Sequence, residues 1–341
     1  MRESSGVAQN PENAENVGNP ETTGDPGDVT QAAGAARTVT VGSRGSALAR
    51  AQVREMVERW EREVPGVRFV RRVITEAGDA DRSTPTVAGV TRRAGVSAFS
   101  SRQEAALVRR EVDVVVHCLK DLPTTPAPGT ALLRTPGPRE DARDALCGAT
   151  LAGLPRGARV GTGSTRRVAQ LLALRPDLEV IPVRGNVPAR LARLRTLDAV
   201  VLAAAGLHRL GLTEEITEYL DPEAYPPAPG QGALAIQVRE GSGAARLLAA
   251  SGDPATDTEV RAERVLLAEL HGGCSVPLGT WTSRPSPGTL RLHAAVTAPD
   301  GGRQITATAQ GPASEPDKLA LTVAERLLAG GAARILAEAT P

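Results

Sequence analysis

His117, Lys120 and Asp121 stand close together in the stretch Asp113-Val114-Val115-Val116-His117-Cys118-Leu119-Lys120-Asp121-Leu122-Pro123-Thr124. An imidazole, an ammonium and a carboxylate at that spacing can hold an anion, balance a developing cation and relay a proton. The β-branched run ahead of them reads as a buried strand, which Pro123 is expected to stop. Strand ends are where open α/β sheets carry their chemistry. The chain has two lysines, Lys120 and Lys318, and every other strongly basic side chain is arginine. A lysine kept at 120 in so arginine-rich a chain points to a position that wants a compact ammonium. A plain ion pair between Lys120 and Asp121 is the alternative reading.

Similar polar clusters recur along the chain. Val39-Thr40-Val41 reads as a strand, Gly42-Ser43-Arg44-Gly45-Ser46 as a turn, and Ala47 to Glu63 as a helix. Such a turn gathers backbone N–H groups and the helix dipole at one anion site. The design repeats where Arg159-Val160 leads into Gly161-Thr162-Gly163-Ser164-Thr165-Arg166-Arg167 and a helix to Leu174. It repeats again where Val180 to Val183 leads into Arg184-Gly185-Asn186-Val187-Pro188-Ala189-Arg190. Arg44, Ser46, Lys120, Asp121, Thr162, Ser164, Arg166, Arg167, Arg184 and Arg190 would together line a cleft with cations, hydrogen-bond donors and one carboxylate. Adjacent arginines repel unless an anion sits between them, and their forks bind carboxylates in pairs. The implied ligand is a polycarboxylate. Arg71-Arg72 and Arg92-Arg93 read as exposed charge.

The elements that must position these groups alternate between strand and helix. That alternation predicts an α/β fold of two doubly wound domains with parallel sheets, followed by a smaller α+β C-terminal domain. Residues 1–36 lack large apolar side chains and read as a disordered tail. Domain 1 is expected over 37–137 and 232–250, domain 2 over 138–231, and domain 3 over 251–341. Pro136-Gly137-Pro138 and Pro226-Pro227-Ala228-Pro229-Gly230-Gln231-Gly232 are the expected crossings between the first two. In domain 3 a helix from Glu259 to Leu270 leads to His271-Gly272-Gly273-Cys274, and Pro277-Leu278-Gly279 is expected to turn. Strands are expected near Leu290 to Val296 and Gln304 to Ala309. Cys274, on a glycine-rich loop, reads as accessible; Cys118 and Cys147 read as small buried hydrophobes.

Composition excludes other classes. The 341 residues carry a formal net charge of +1 and 2% aromatic side chains, which argues against nucleic-acid binding. No apolar run approaches the ~20 residues that span a bilayer, and no secretion signal is legible. Three widely spaced cysteines without metal-ligand spacing predict no metal site, reduced thiols and a cytoplasmic location.

Seven segments in order resemble the hydroxymethylbilane synthase, or porphobilinogen deaminase, family. They are Gly42-Ser43-Arg44-Gly45-Ser46-Ala47-Leu48-Ala49, His117-Cys118-Leu119-Lys120-Asp121-Leu122-Pro123, Val160-Gly161-Thr162-Gly163-Ser164-Thr165-Arg166-Arg167, Arg184-Gly185-Asn186-Val187, Ala203-Ala204-Ala205-Gly206-Leu207-His208-Arg209-Leu210-Gly211, Pro229-Gly230-Gln231-Gly232-Ala233-Leu234-Ala235-Ile236 and Gly272-Gly273-Cys274-Ser275-Val276-Pro277-Leu278-Gly279. The resemblance covers the chain from about Thr38 onward.

It implies two domains like periplasmic binding proteins and a third that carries a dipyrromethane cofactor on Cys274 through a thioether. It implies head-to-tail condensation of four porphobilinogen molecules, with loss of ammonia at each step, to a linear hydroxymethylbilane. Asp121 would be the catalytic carboxylate, with Lys120 beside it. Arg44, Ser46, Lys120, Thr162, Ser164, Arg166, Arg167, Arg184 and Arg190 would hold the cofactor; Arg44, Arg184, Arg190, Arg209 and Gln231 would hold the substrate. A monomer is expected, with no nucleic-acid or membrane partner.

Four positions depart from the family's pattern. The segment Ala94-Gly95-Val96-Ser97-Ala98-Phe99 has fewer glycines than usual and no lysine, Cys118 stands where serine is usual, Gly163 likewise, and Gln237 stands where an acid is usual. Two other readings fit the same cleft: a catalytically impaired paralogue, and a non-catalytic binder of small anions.

Overall fold

The computed structural model describes residues 37–76, 100–270 and 276–339. Strands β1 (Arg37–Ser43), β2 (Val67–Val73), β3 (Val114–Cys118), β4 (Thr130–Leu132) and β10 (Leu234–Arg239) form one sheet in the order β2-β1-β3-β10-β4. Strands β5 (Asp144–Cys147), β6 (Arg159–Gly161), β7 (Glu179–Ile181), β8 (Ala199–Ala203) and β9 (Glu218–Tyr219) form a second in the order β7-β6-β8-β5-β9. Three strands of each sheet are parallel, as the alternation predicts. The fourth is not: β10 runs antiparallel to β3, and β5 antiparallel to β8. A parallel neighbour needs a crossover within its own sheet. β5 and β10 instead enter their sheets from the other sheet, along the two crossing segments, so both sheets are mixed.

The first sheet is closed by the helix Ala47–Glu63, which buries Ala49, Gln52, Val53, Met56 and Trp60 at three- and four-residue spacing. Val53, Met56 and Trp60 pack on Val39, Val41, Val114, Val116, Leu234, Ile236 and Val238, and the Trp60 ring lies 5.4 Å from that of Phe69. With so few aromatic residues, this pair fills volume that aliphatic side chains fill elsewhere.

The third sheet is an antiparallel meander of β11 (Leu278–Ser283), β12 (Thr289–Thr297) and β13 (Gln304–Pro312). The helices Pro254–Glu269 and Pro316–Ala329 share its core. The first of these begins earlier than the sequence suggested, because the Asp253 carboxylate caps it from Thr256 N at 2.7 Å. Leu278-Gly279 is strand and not the expected turn. Glycine is needed there because a Cβ would collide with the Pro226 carbonyl of the second crossing.

One carboxylate joins the third unit to both crossings. Glu263, fully buried on the helix Pro254–Glu269, accepts from Arg139 Nη1 at 2.8 Å and Nη2 at 2.9 Å, from Thr282 Oγ1 at 2.7 Å and from Gly230 N at 2.7 Å. Arg139 in turn donates from Nε to the Gln231 carbonyl at 2.9 Å. Among the described residues no helix is long and apolar enough to cross a membrane.

Gly232 sits between that junction and β10 with φ +88, and a Cβ there would meet the Glu140 carbonyl of the first crossing. Gly232→Ala is expected to cost about 1–3 kcal/mol, read as a lower denaturation midpoint. An unchanged midpoint would show that the two crossings separate freely.

Candidate active site

β3 stops at Cys118, well before Pro123, because the chain turns there into a single 3-10 turn, Leu119–Asp121. Leu119 N donates to the Ala233 carbonyl at 3.0 Å, and its side chain is buried. The anchored leucine leaves Lys120 and Asp121, both half-buried, at the strand end. Lys120 Nζ donates to Gln231 Oε1 at 2.9 Å. Burial lowers the Lys120 ammonium, Arg167 adds to this, and Asp121 and Asp144 oppose it.

Gln231 carries the contact into the second sheet. Its Nε2 donates to the Ala142 carbonyl at 2.7 Å and to Asp144 Oδ1 at 2.9 Å. Asp144, fully buried at the start of β5, accepts from Arg166 Nη2 at 2.7 Å and from Arg167 Nη2 at 2.6 Å and Nε at 3.1 Å. Burial alone would raise the Asp144 carboxyl; the two guanidinium groups outweigh it and hold the group far below the usual carboxylate range. Arg166 also donates to Gln170 Oε1 at 2.8 Å and the Pro226 carbonyl at 2.9 Å, and Arg167 to the Val201 carbonyl at 2.9 Å. Tyr225, buried over the pair, donates its hydroxyl to the Arg167 carbonyl at 3.0 Å. The adjacent arginines therefore stand side by side because one buried anion already lies between them, a partner that sequence reasoning missed.

Arg190 senses the remaining cations. Burial and Arg167 push its guanidinium down to about 10, with Arg184 and Arg44 adding to the effect and Asp121 opposing it. Arg190 Nε is tied to the Gly185 carbonyl at 2.8 Å, and Asn186 Oδ1 caps its short helix from Ala189 N at 2.9 Å. The geometry thus gathers Arg44, Lys120, Asp121, Arg167, Arg184 and Arg190 into one electrostatic neighbourhood drawn from both sheets.

Ser46 and Ser164 are helix caps. Ser46 Oγ accepts from Ala49 N at 3.1 Å and Ser164 Oγ from Arg167 N at 3.5 Å. Thr162, buried, accepts from Ser164 N at 3.3 Å. A hydroxyl that accepts a capping N–H keeps its own hydrogen to donate. Arg209 donates from Nε to Glu55 Oε2 at 2.8 Å, joining the helix Ala204–Arg209 to the helix Ala47–Glu63 across the two sheets. Arg71 is not the exposed charge the sequence suggested. It donates to Ser43 Oγ at 2.8 Å and the Arg44 carbonyl at 2.7 Å, bracing the turn that carries Arg44. Cys118 is half-buried and receives Gln52 Nε2 at 2.9 Å, whereas Cys147 is buried in the core as expected. Cys274, Arg92-Arg93 and the segment from Ala94 to Phe99 lie outside the described residues.

Two family models match the chain: porphobilinogen deaminase, dipyromethane cofactor binding domain, over residues 39–246, and porphobilinogen deaminase, C-terminal domain, over residues 258–329. The porphobilinogen deaminase of Thermus thermophilus is 45% identical over 308 residues, covering 89% of this chain and 99% of the relative. That of Thermobifida fusca is 42% identical over 313 residues, covering 88% and 96%. Among solved structures, the methionine binding protein MetQ matches 66% of this chain and 93% of its own at 12% identity, with a TM-score of 0.39, too low to argue from. The chain belongs to the porphobilinogen deaminase family, enzymes of tetrapyrrole synthesis with a covalently held dipyrromethane cofactor. The resemblance carried by the seven segments is borne out.

Asp144→Asn would leave two buried guanidinium groups without their anion and is expected to destabilise the fold by about 3–5 kcal/mol. Because the folded carboxyl is depressed, its stabilisation is fully present above the unfolded value of about 4 and is lost progressively as pH falls from there through the much lower folded value. Urea unfolding of the two proteins should converge in acid. A gap that persists unchanged at low pH would remove the ion pairs as its cause.

Proposed function

We propose that this chain condenses four porphobilinogen molecules head to tail, releasing ammonia at each step, to give linear hydroxymethylbilane. The observation that carries this reading is the Asp121 carboxylate at the strand end, set among Arg44, Arg167, Arg184, Arg190 and Lys120, where burial and the neighbouring cations together push Arg190 down to about 10. Such a cleft suits a ligand with several carboxylates that develops one positive charge as it reacts. Arg166 also keeps a buried Nε with no hydrogen-bond partner among the described residues, and this spare donor fits a cofactor bearing acetate and propionate groups. The dipyrromethane would be held on Cys274 and would supply the pyrrole carbon from which the chain grows.

In each condensation the substrate's aminomethyl C–N bond breaks and a C–C bond forms. Asp121 accepts hydrogen bonds from the pyrrole N–H groups and balances the positive charge left as the aminomethyl ammonium departs as ammonia, and the proton displaced from the pyrrole carbon that forms the new bond leaves to water. Lys120, held by Gln231, stands beside Asp121 and binds a cofactor carboxylate. Arg166 and Arg167, with Ser46, Thr162 and Ser164, hold the cofactor side. Arg44, Arg184 and Arg190 serve cofactor and substrate, and Arg209 supports substrate binding. Gln231 acts on the substrate through Lys120. We read residues 37–137 with 232–250, 138–231 and 251–341 as the three domains, and the enzyme as a cytoplasmic monomer.

Asp121→Ala is expected to keep its fold and lose turnover at least about 100-fold; near-normal turnover would remove Asp121 from the mechanism. Intact mass after incubation with porphobilinogen is expected to show a two-pyrrole adduct with heavier ladder species on the wild type and none on Cys274→Ser. An adduct without the ladder would favour the impaired paralogue, and a folded protein with no adduct would favour the anion binder.

A further inference from the structure

His117, Gln237, Glu104 and Thr130 form a buried polar chain on the face of the first sheet covered by the helix Ser101–Val108. His117 Nε2 lies 3.0 Å from Gln237 Oε1. Gln237 Nε2 lies 3.0 Å from Glu104 Oε1 and 2.9 Å from Thr130 Oγ1. Thr130 Oγ1 is itself 2.7 Å from the Ala127 carbonyl, which can only accept. The single threonine hydrogen is therefore spent on Ala127, and Thr130 can only accept from Gln237. That fixes which end of the Gln237 amide is nitrogen, and Glu104 agrees, since a carboxylate accepts the second amide hydrogen. The amide oxygen must then face His117, whose Nε2 has to carry the hydrogen.

We propose that Gln237 is a positioning residue that locks His117 as the neutral, Nε2-protonated imidazole, so that the ring beside Arg44 carries no charge. The register supports this placement. β1 pairs Gly42 with Val115 on β3, and two residues further along both strands Arg44 falls level with His117. The charged group acting on the imidazole is Arg44, from the turn after β1. Glu104, on the helix, is joined to the ring through Gln237. The buried Glu76, which accepts from Arg102 N and Gln103 N at the start of that helix, lies under the influence of Arg44. β10 and β4 contribute the neutral Gln237 and Thr130. Burial and Arg44 push the imidazole down to about 4 against the Gln237 hydrogen bond. An acid at 237 would do the opposite and draw a second proton onto the ring. The variant carboxylate would place a negative charge behind Arg44 and oppose its hold on carboxylates, and protonation of the ring would cancel that charge.

The proposal rests on Arg44 gripping a substrate or cofactor carboxylate, so the test separates the two. The chain has four histidines, and long-range 1H–15N spectra of the full-length enzyme, with His117→Gln for assignment, read the tautomer directly. In the wild type His117 is expected to show the neutral Nε2–H pattern unchanged between about pH 5.5 and 8. In Gln237→Glu it is expected to titrate inside that window, while KM for porphobilinogen, raised by the added carboxylate at the upper end, falls about threefold more than in the wild type on going to the lower end, with kcat changing less. A wild-type Nδ1–H tautomer, or a wild-type titration in the window, overturns the proposal even if the variant fails to fold. A KM profile unchanged in Gln237→Glu overturns the positioning role. If Arg44→Gln leaves KM and cofactor loading unaltered, the reading of Arg44 has failed instead, while the spectra still decide the tautomer.

Discussion

Charge withdrawn from water where the chain crosses between its two larger sheets is the constraint on which the rest of the structure depends. Asp144 and Glu263 are both fully buried, and a carboxylate in that setting survives only with strong, well-directed donors. Asp144 takes its donors from Arg166, Arg167 and Gln231; Glu263 takes its own from Arg139, Thr282 and Gly230. Gln231 and its neighbour Gly230 belong one to each group. The two sheets, the third unit and the ammonium of Lys120 thus meet within a few residues of the second crossing.

This arrangement explains how flexible side chains become ordered enough for the anion cradle proposed for them. Arg166 and Arg167 would be poor ligand holders if free, because ordering two long side chains is entropically costly. Asp144 orders them in advance. Ser46 and Ser164 are ordered by the helices they cap, Arg190 by the carbonyl of Gly185, and the Arg44 turn by Arg71. Each of the groups proposed to hold the ligand is itself held by a contact within the protein, which is the physical content of preorganisation.

Much of this was legible in the sequence, for identifiable reasons. Short apolar runs ending in Gly, Ser and Arg marked the strand ends, and three- and four-residue spacing marked the helix Ala47–Glu63 to its observed limits. Asp121, Lys120 and the arginines stood out because residue type and local position sufficed. Glu263 did not, since its partner Arg139 lies 124 positions away and nothing local sets it apart from other helix carboxylates. Asp144 was hidden by its setting, one acid among several near Arg139 to Arg143. The antiparallel entry of β5 and β10 was missed because helix-strand alternation reports on local connections, and these strands arrive from the opposite sheet. Leu278-Gly279 misled because glycine served tertiary contact instead of a turn.

The Glu263 junction bears on how such a chain can evolve. Many enzymes acquire or exchange terminal units as modules, joined by a linker and a modest surface. Here a chain ending before the helix Pro254–Glu269 would strip Arg139 of its anion and leave the Gly230 amide without its acceptor, inside a region already closed to water. The third unit is thus a structural lock on the crossings as well as an appendage that brings chemistry. Recombination that replaced it would have to supply, in register, an equivalent buried carboxylate, so gene fusions and truncations at this boundary meet a barrier that surface loops elsewhere in the molecule do not impose.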